Sequence, residues 1–278
     1  MKICGVKIYK RIWYLILQHV PSACKVLEND DRFGEIINKY FPEIEDSSLF
    51  ELVFEEDNLE LFLKYELIEG KEKRICYYAF RYGAIKILKY CHLNGYEWNS
   101  DDILMAVTYR KIECLKYGHE NGCEWLSETC SYAAMNNHLE CLKYAHENDC
   151  PWNRWTTVKA AENGSLECLK YACENGCIYD YHTMQEAAEY GNLECMKYLY
   201  SIECGWNSIV CSAAAESGNL DCLIYARENG CPWDKWTTYY AVRNGHIECI
   251  KYAHENDCPW NKDTIMIARL YNSKEWLS

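Results

Sequence analysis

Residues 153–179, NRWTTVKAAENGSLECLKYACENGCIY, hold two short stretches of helical periodicity separated by a glycine. The first is expected to run about nine residues, with the small pair Ala160-Ala161 on its last turn for close packing. The second is expected from about Leu166 to Asn175. Leu166, Leu169 and Ala172-Cys173 fall at three- and four-residue spacing and form one apolar face. Asn153 stands where its side chain can take the free N–H groups of a starting helix. Gly164 and Gly176 stand where the backbone must turn left-handed to leave one. Glu167 lies in the first turn of the second helix, where the dipole favours a negative charge, and Lys170 can pair with it. The unit therefore reads as helix, turn, helix, turn. Such a pair cannot bury its apolar face alone and needs neighbours stacked against it.

The chain supplies those neighbours at a strict 27-residue step. Tyrosines recur at Tyr90, Tyr117, Tyr144, Tyr171, Tyr198, Tyr225 and Tyr252, and alanines from Ala79 through Ala106 and Ala133 to Ala268. Trp98, Trp125, Trp152, Trp206, Trp233 and Trp260 form a third column, with Tyr179 in its gap. Asn or Asp opens the units at Asn99, Asn153, Asp180, Asn207, Asp234 and Asn261, with Leu126 the exception. Gly83, Gly191, Gly218 and Gly245 repeat the role of Gly164, with Asn137 and Asn272 as substitutes. Upstream, SSLFELVFEEDNLELFLKY reads as a degenerate first unit. Downstream, Glu275-Trp276-Leu277 starts an incomplete last one. Residues 1–43 do not follow the repeat and are expected to form a helical cap over its first apolar face, leaving 44–278 to the stack.

Composition narrows the function classes. The formal net charge of −13 repels phosphate backbones and anionic lipid, so neither nucleic acid nor a membrane surface is an expected partner. The apolar run Ile12–Leu17 is too short to cross a bilayer or serve as a secretory core. Nineteen cysteines would suggest a disulfide scaffold, but most fall in two repeat columns, Cys114 to Cys249 and Cys123 to Cys258. Neighbouring helices lie ~8–10 Å apart, beyond the reach of a disulfide between neighbours in one column. Small buried core residues in a reducing compartment are the expectation. The same spacing argues against a metal ladder of His92, His119 and His146. Every acid can be assigned to a repeat position and no nucleophile motif is present, so no catalytic residue, metal or cofactor is expected.

The order A-A-E-N-G-x-L-E-C-L-K-Y-x-x-E-N-G-C resembles the ankyrin repeat over roughly residues 45–278. The Cys-Pro-Trp-Asn following the second helix, at Cys150 and Cys258 (with Asp for Asn at Cys231), is similar to the short repeats abundant in proteins of giant DNA viruses of protists. The resemblance implies an all-α, ankyrin-type helix-turn-helix solenoid with shortened hairpins. It also implies a non-enzymatic protein–protein interaction scaffold, acting in the host cytoplasm if viral and binding host or viral proteins as a single copy. Two departures bear on this. Cys-Pro-Trp-Asn replaces most of the projecting hairpin, and Trp155–Val158 replaces the usual Thr-Pro-Leu-His. An Asn column and a Thr column (Thr129, Thr156, Thr183, Thr237, Thr264) are left to supply the missing hydrogen bonds.

Binding specificity in a repeat protein can reside at positions that vary between units. Trp155 and Trp236 lie outside the tryptophan column, at a position held elsewhere by Asp101, Glu128, His182, Ile209 and Asp263. Two more variable positions follow the alanines: Thr108-Tyr109, Met135-Asn136, Glu162-Asn163, Glu189-Tyr190, Glu216-Ser217 and Arg243-Asn244. The resemblance implies that these face the concave groove, with the two tryptophans as aromatic anchors; the other reading of the same variation is drift on a solvated face. The column aromatics are expected to pack as core at the junctions. Two alternatives stay open. One is a ubiquitin-ligase substrate adaptor, if residues 1–43 form an F-box-like segment, and the other is a structural component of a virus particle.

Overall fold

The computed structural model describes residues 51, 53–64 and 74–270. The proposed cap at 1–43, its F-box-like alternative and the final Glu275–Leu277 lie outside the described residues. The helical stack belongs to the compact unit Phe54–Ser278.

Every regular element among the described residues is a helix, and none is a strand. A short α1 (Leu59–Lys64) precedes seven pairs: α2 (Ile75–Tyr82) with α3 (Ile85–Leu93), α4 (Ser100–Thr108) with α5 (Ile112–Glu120), α6 (Thr129–Met135) with α7 (Leu139–Glu147), α8 (Arg154–Glu162) with α9 (Leu166–Glu174), α10 (Tyr181–Glu189) with α11 (Leu193–Ser201), α12 (Ser208–Glu216) with α13 (Leu220–Glu228), and α14 (Lys235–Asn244) with α15 (Ile247–Glu255). The last helix, α16 (Lys262–Leu270), opens an eighth unit. Each first helix packs against the next first helix, and each second helix against the next second helix. The first-helix row is the more closely packed of the two and forms the inner row. Both helices of the 153–179 unit fall within a residue of where the periodicity places them.

Local chemistry explains the boundaries. The side chains of Asn99, Asn153, Asp180, Asn207 and Asp234 each accept the backbone N–H two residues on at 2.9 Å, as expected of this column. Leu126 cannot do this. The helix in its unit begins only at Thr129, without a side-chain cap, and is seven residues long. Gly83, Gly164, Gly191, Gly218 and Gly245 all have positive φ, and so does Asn137. The sequence pattern missed one member of that column: Arg110 is left-handed too, at φ 57.

The core is a line of small and branched side chains shared between units. Ala160, Ala161, Cys168, Leu169 and Ala172 are fully buried, and their equivalents in neighbouring units are as well. Burying a leucine of this kind contributes roughly 1.5–3 kcal/mol. The expectation of core aromatics holds only in part, because the Trp and Tyr columns are half-buried and stack along the second-helix side. His146 stacks on Trp152 at 3.7 Å between centroids, with Tyr171 edge-on to both. Tyr200 does the same on Trp206, and the Arg227 guanidinium lies over Trp233 at 4.2 Å. The histidine column thus fills a stacking position. The His92 and His146 rings also share hydrogen bonds with the Tyr117 and Tyr171 hydroxyls, each at 2.9 Å.

At several junctions the residue that opens the second helix ties backbone carbonyls of the preceding unit. Asn192 Nδ2 donates to the carbonyls of Ala161 and Glu162, both at 2.8 Å. Asn219 repeats this on Ala188 and Glu189 at 3.0 and 2.6 Å, and His246 reaches Glu216 O at 2.9 Å. Thr157 and Thr238 add donors to Ile178 O and Pro259 O, each at 2.7 Å.

Candidate functional site

The anticipated contact residues all sit on the inner row or at its helix ends, and none is buried. Trp155 is 54% exposed, Tyr190 55%, Trp236 44% and Tyr109 43%. Asn163, Glu216, Ser217, Arg243 and Asn244 are exposed, while Thr108, Met135, Asn136, Glu162 and Glu189 are half-buried.

One set converges. A groove of about 400 Å³ lies between α6 and α8, lined by Tyr132 and Met135 on one side and Trp155 and Lys159 on the other, with Glu128 and Asn153 at one end. Helical geometry produces it. Tyr132 and Met135 share a face of α6, with Glu128 just before its first turn at spacing i, i+4, i+7, while Trp155, Lys159 and Glu162 repeat that spacing on α8. The Asn153 cap fixes the start of α8 and so sets where Trp155 emerges. Tyr132 and Lys159 were missed as candidates, although they occupy another variable column, four residues beyond that of Trp155.

A second set joins the groove through Lys159, whose ammonium bonds the Glu162 carboxylate. This bond raises the lysine pKa, and Glu186 and Tyr190 add to the effect. Glu186, on the next first helix, has a raised pKa because it is desolvated and because Glu189 and Glu162 face it. The Tyr190 hydroxyl is pushed up by Glu162 first. Glu162, Glu186, Glu189 and Tyr190 therefore form one negatively biased patch around a single lysine.

The remaining candidates are separate. Trp236 stands three units beyond Trp155 and clusters with Tyr239 and Tyr240 at 5.4 and 6.0 Å, with Lys235 over its ring. Asn244 Nδ2 donates to Glu216 O at 2.6 Å. Arg81 covers the Tyr109 ring at 5.0 Å. Thr108, Asn136 and Asn163 bond carbonyls of their own helices. The two tryptophans do not form one pocket.

Most described cysteines are buried, with Cys173 half-buried. Sequence spacing tested neighbours within a column and overlooked cysteines on the first helices. The Cys130 thiol meets Cys150, and the Cys211 thiol meets Cys231. In each pair the contact, followed by burial, raises the pKa of the first-helix cysteine. The Thr156 and Thr237 hydroxyls face Cys177 and Cys258. Among the described residues no three His, Cys, Asp or Glu side chains are placed to hold a metal ion. No described helix is long and apolar enough to cross a membrane.

Residues 130–209 match a family model described as ankyrin repeats (3 copies), and 211–254 match a second described as ankyrin repeats (many copies). Among solved structures, the chain is similar to the human ASB11 ankyrin repeat domain. The TM-score is 0.49 at 18% identity, covering 56% of this chain and 84% of that one. A search of curated proteins finds no match. The units within residues 130–254 are thus similar to ankyrin repeats, and the fold is an all-helical repeat stack.

Proposed function

We propose that this ankyrin-repeat array is a non-enzymatic scaffold that holds another protein on its inner row of first helices. The observation that carries the reading is the groove beside Trp155. A tryptophan more than half exposed faces Met135 and Tyr132 across an open groove and offers a partner an aromatic anchor. Aromatic anchors of this kind dominate protein interfaces. Tyr109, Tyr190 and Trp236 extend exposed aromatic surface along the same row. The short Cys- and Trp-bearing unit, similar to that of giant-virus proteins, supports clients drawn from a virus or its host. Buried thiols used as donors to backbone carbonyls support a reducing compartment, since oxidation would remove those donors.

Affinity purification of the full chain beside a Trp155→Ala/Tyr190→Ala variant, with quantitative mass spectrometry, tests the reading. Proteins recovered with the parent chain should fall by at least about tenfold with the variant. Equal recovery would place binding elsewhere.

A further inference from the structure

Resting on the reading that the inner row holds a protein, we infer that the bound segment is extended and basic. It seats one large apolar side chain in the Met135–Trp155 groove and lays arginines or lysines along Glu162, Glu189 and Glu216.

The groove fixes one end. Tyr132, Met135 and Trp155 give it apolar walls, and its volume of about 400 Å³ has room for a large side chain. Lys159 closes the side nearest Glu162 and is already bonded to that carboxylate, while Glu128 lies at the other end.

Beyond Lys159 the charge changes sign. Glu162, Glu189 and Glu216 are one column at 27-residue steps, each closing a first helix of the inner row. Neither Glu189 nor Glu216 makes an ion pair among the described residues. Glu186 sits beside the column, its pKa raised by desolvation and then by Glu189 and Glu162. Arg243 takes the same position in the following unit and ends the acidic run.

Spacing then sets the form of the occupant. Packed helices lie ~8–10 Å apart and an extended chain advances ~3.3 Å per residue. About every third residue of an extended segment therefore returns to the column. Residues 44–278 carry 22 Lys and Arg against 37 Asp and Glu, a balance of −15. That balance draws in a cationic segment and opposes an acidic one, a nucleic acid or a second copy of this array.

Fluorescence anisotropy with the full chain tests the inference. The probe is a labelled peptide of about twelve residues, spanning roughly 40 Å when extended. It carries one leucine, then arginine at every third position, with serine between. Counterparts replace arginine by glutamate, or leucine by serine. The arginine peptide is expected to bind. Trp155→Ala, and separately the Glu162→Gln/Glu189→Gln/Glu216→Gln variant, should each weaken it by about tenfold or more. Raising salt from about 50 to about 500 mM should weaken it as well. Melting curves confirm that the variants are folded, and the single Glu189→Gln change serves if the triple variant is not. No binding, equal binding of the glutamate peptide, or indifference to the glutamine changes overturns the inference. If proteins are still captured on the inner row and released by Trp155→Ala/Tyr190→Ala while the arginine peptide fails, only this inference falls. If that variant releases nothing, the proposed function falls with it.

Discussion

The Cys177 thiol donates to the backbone carbonyl of Asn153 at 3.2 Å, joining the last turn of a unit to the residue that caps its first helix. The relation recurs at 24-residue separation. Cys123 reaches Asn99 O at 3.2 Å, Cys204 reaches Asp180 O at 3.4 Å, Cys231 reaches Asn207 O at 3.3 Å and Cys258 reaches Asp234 O at 3.5 Å. Cys150, whose unit lacks the Asn or Asp cap, sits farther from Leu126 O at 3.9 Å. A sulfhydryl is a weak donor, but here it closes these helix pairs on themselves and leaves the apolar faces free to stack.

These thiols make the stack sensitive to alkali. Burial pushes Cys177 and Cys204 up to about 11, and Cys123 and Cys258 up to about 12, from an ordinary value of 9.0. The folded chain therefore binds these protons more tightly than the unfolded one. Their contribution is fully present below about pH 9 and is lost as pH rises toward 11–12. Melting temperatures should be level from about pH 7 to 9 and fall above that. A level profile to about pH 11 would contradict the placement of these groups.

The junction between α10 and α13 offers a double-mutant test. Gly191 has φ +75, and a Cβ there would meet Asn219 Oδ1 at 2.8 Å. Asn219→Ala loses its two bonds to Ala188 O and Glu189 O and should cost about 1–3 kcal/mol. Gly191→Ala adds the clash to roughly 1–2 kcal/mol of left-handed strain. Urea denaturation should show the double variant less destabilised than the sum of the singles, by about 0.5–1.5 kcal/mol, because removing Asn219 relieves the clash. Strict additivity would mean the two do not touch.

Arg110 is a correctable defect. It holds φ 57 in the column otherwise filled mainly by glycine. Arg110→Gly should raise stability by about 0.5–1 kcal/mol, measured as a higher urea midpoint at unchanged slope. A lower midpoint would show that the arginine side chain contributes more than the strain costs.

Two tryptophans should respond unequally. Trp125 stacks on His119 at 4.4 Å and donates Nε1–H to Asn148 O at 2.9 Å, so Trp125→Ala should cost about 2–3 kcal/mol. Trp155, mostly in solvent, should cost less than about 0.5 kcal/mol. Thermal melts of the two variants side by side check this, and comparable losses would assign Trp155 to the core.

The helices, their caps and their stacking were legible because each unit is short and each column repeats a local requirement: a cap at Asn153, a left-handed turn at Gly164, small residues at Ala160-Ala161. The groove was legible only in part. Trp155 and Met135 stood out as departures from their columns, but that they face each other depends on how α6 and α8 are rotated in the stack. Lys159 escaped notice because a lysine on a helix looks like ordinary solvated charge until Glu162 and Glu186 are seen around it. The contacts of Cys130 with Cys150 and of Cys211 with Cys231 join different columns, so spacing within a column could not show them.

The most direct test of a partner held by the inner row is a photo-crosslinking amino acid placed at Tyr190, compared with the same group at Glu147 on the second-helix row. Crosslinked protein is expected from position 190 and none from 147. Crosslinks from 147 alone would contradict a partner on the inner row.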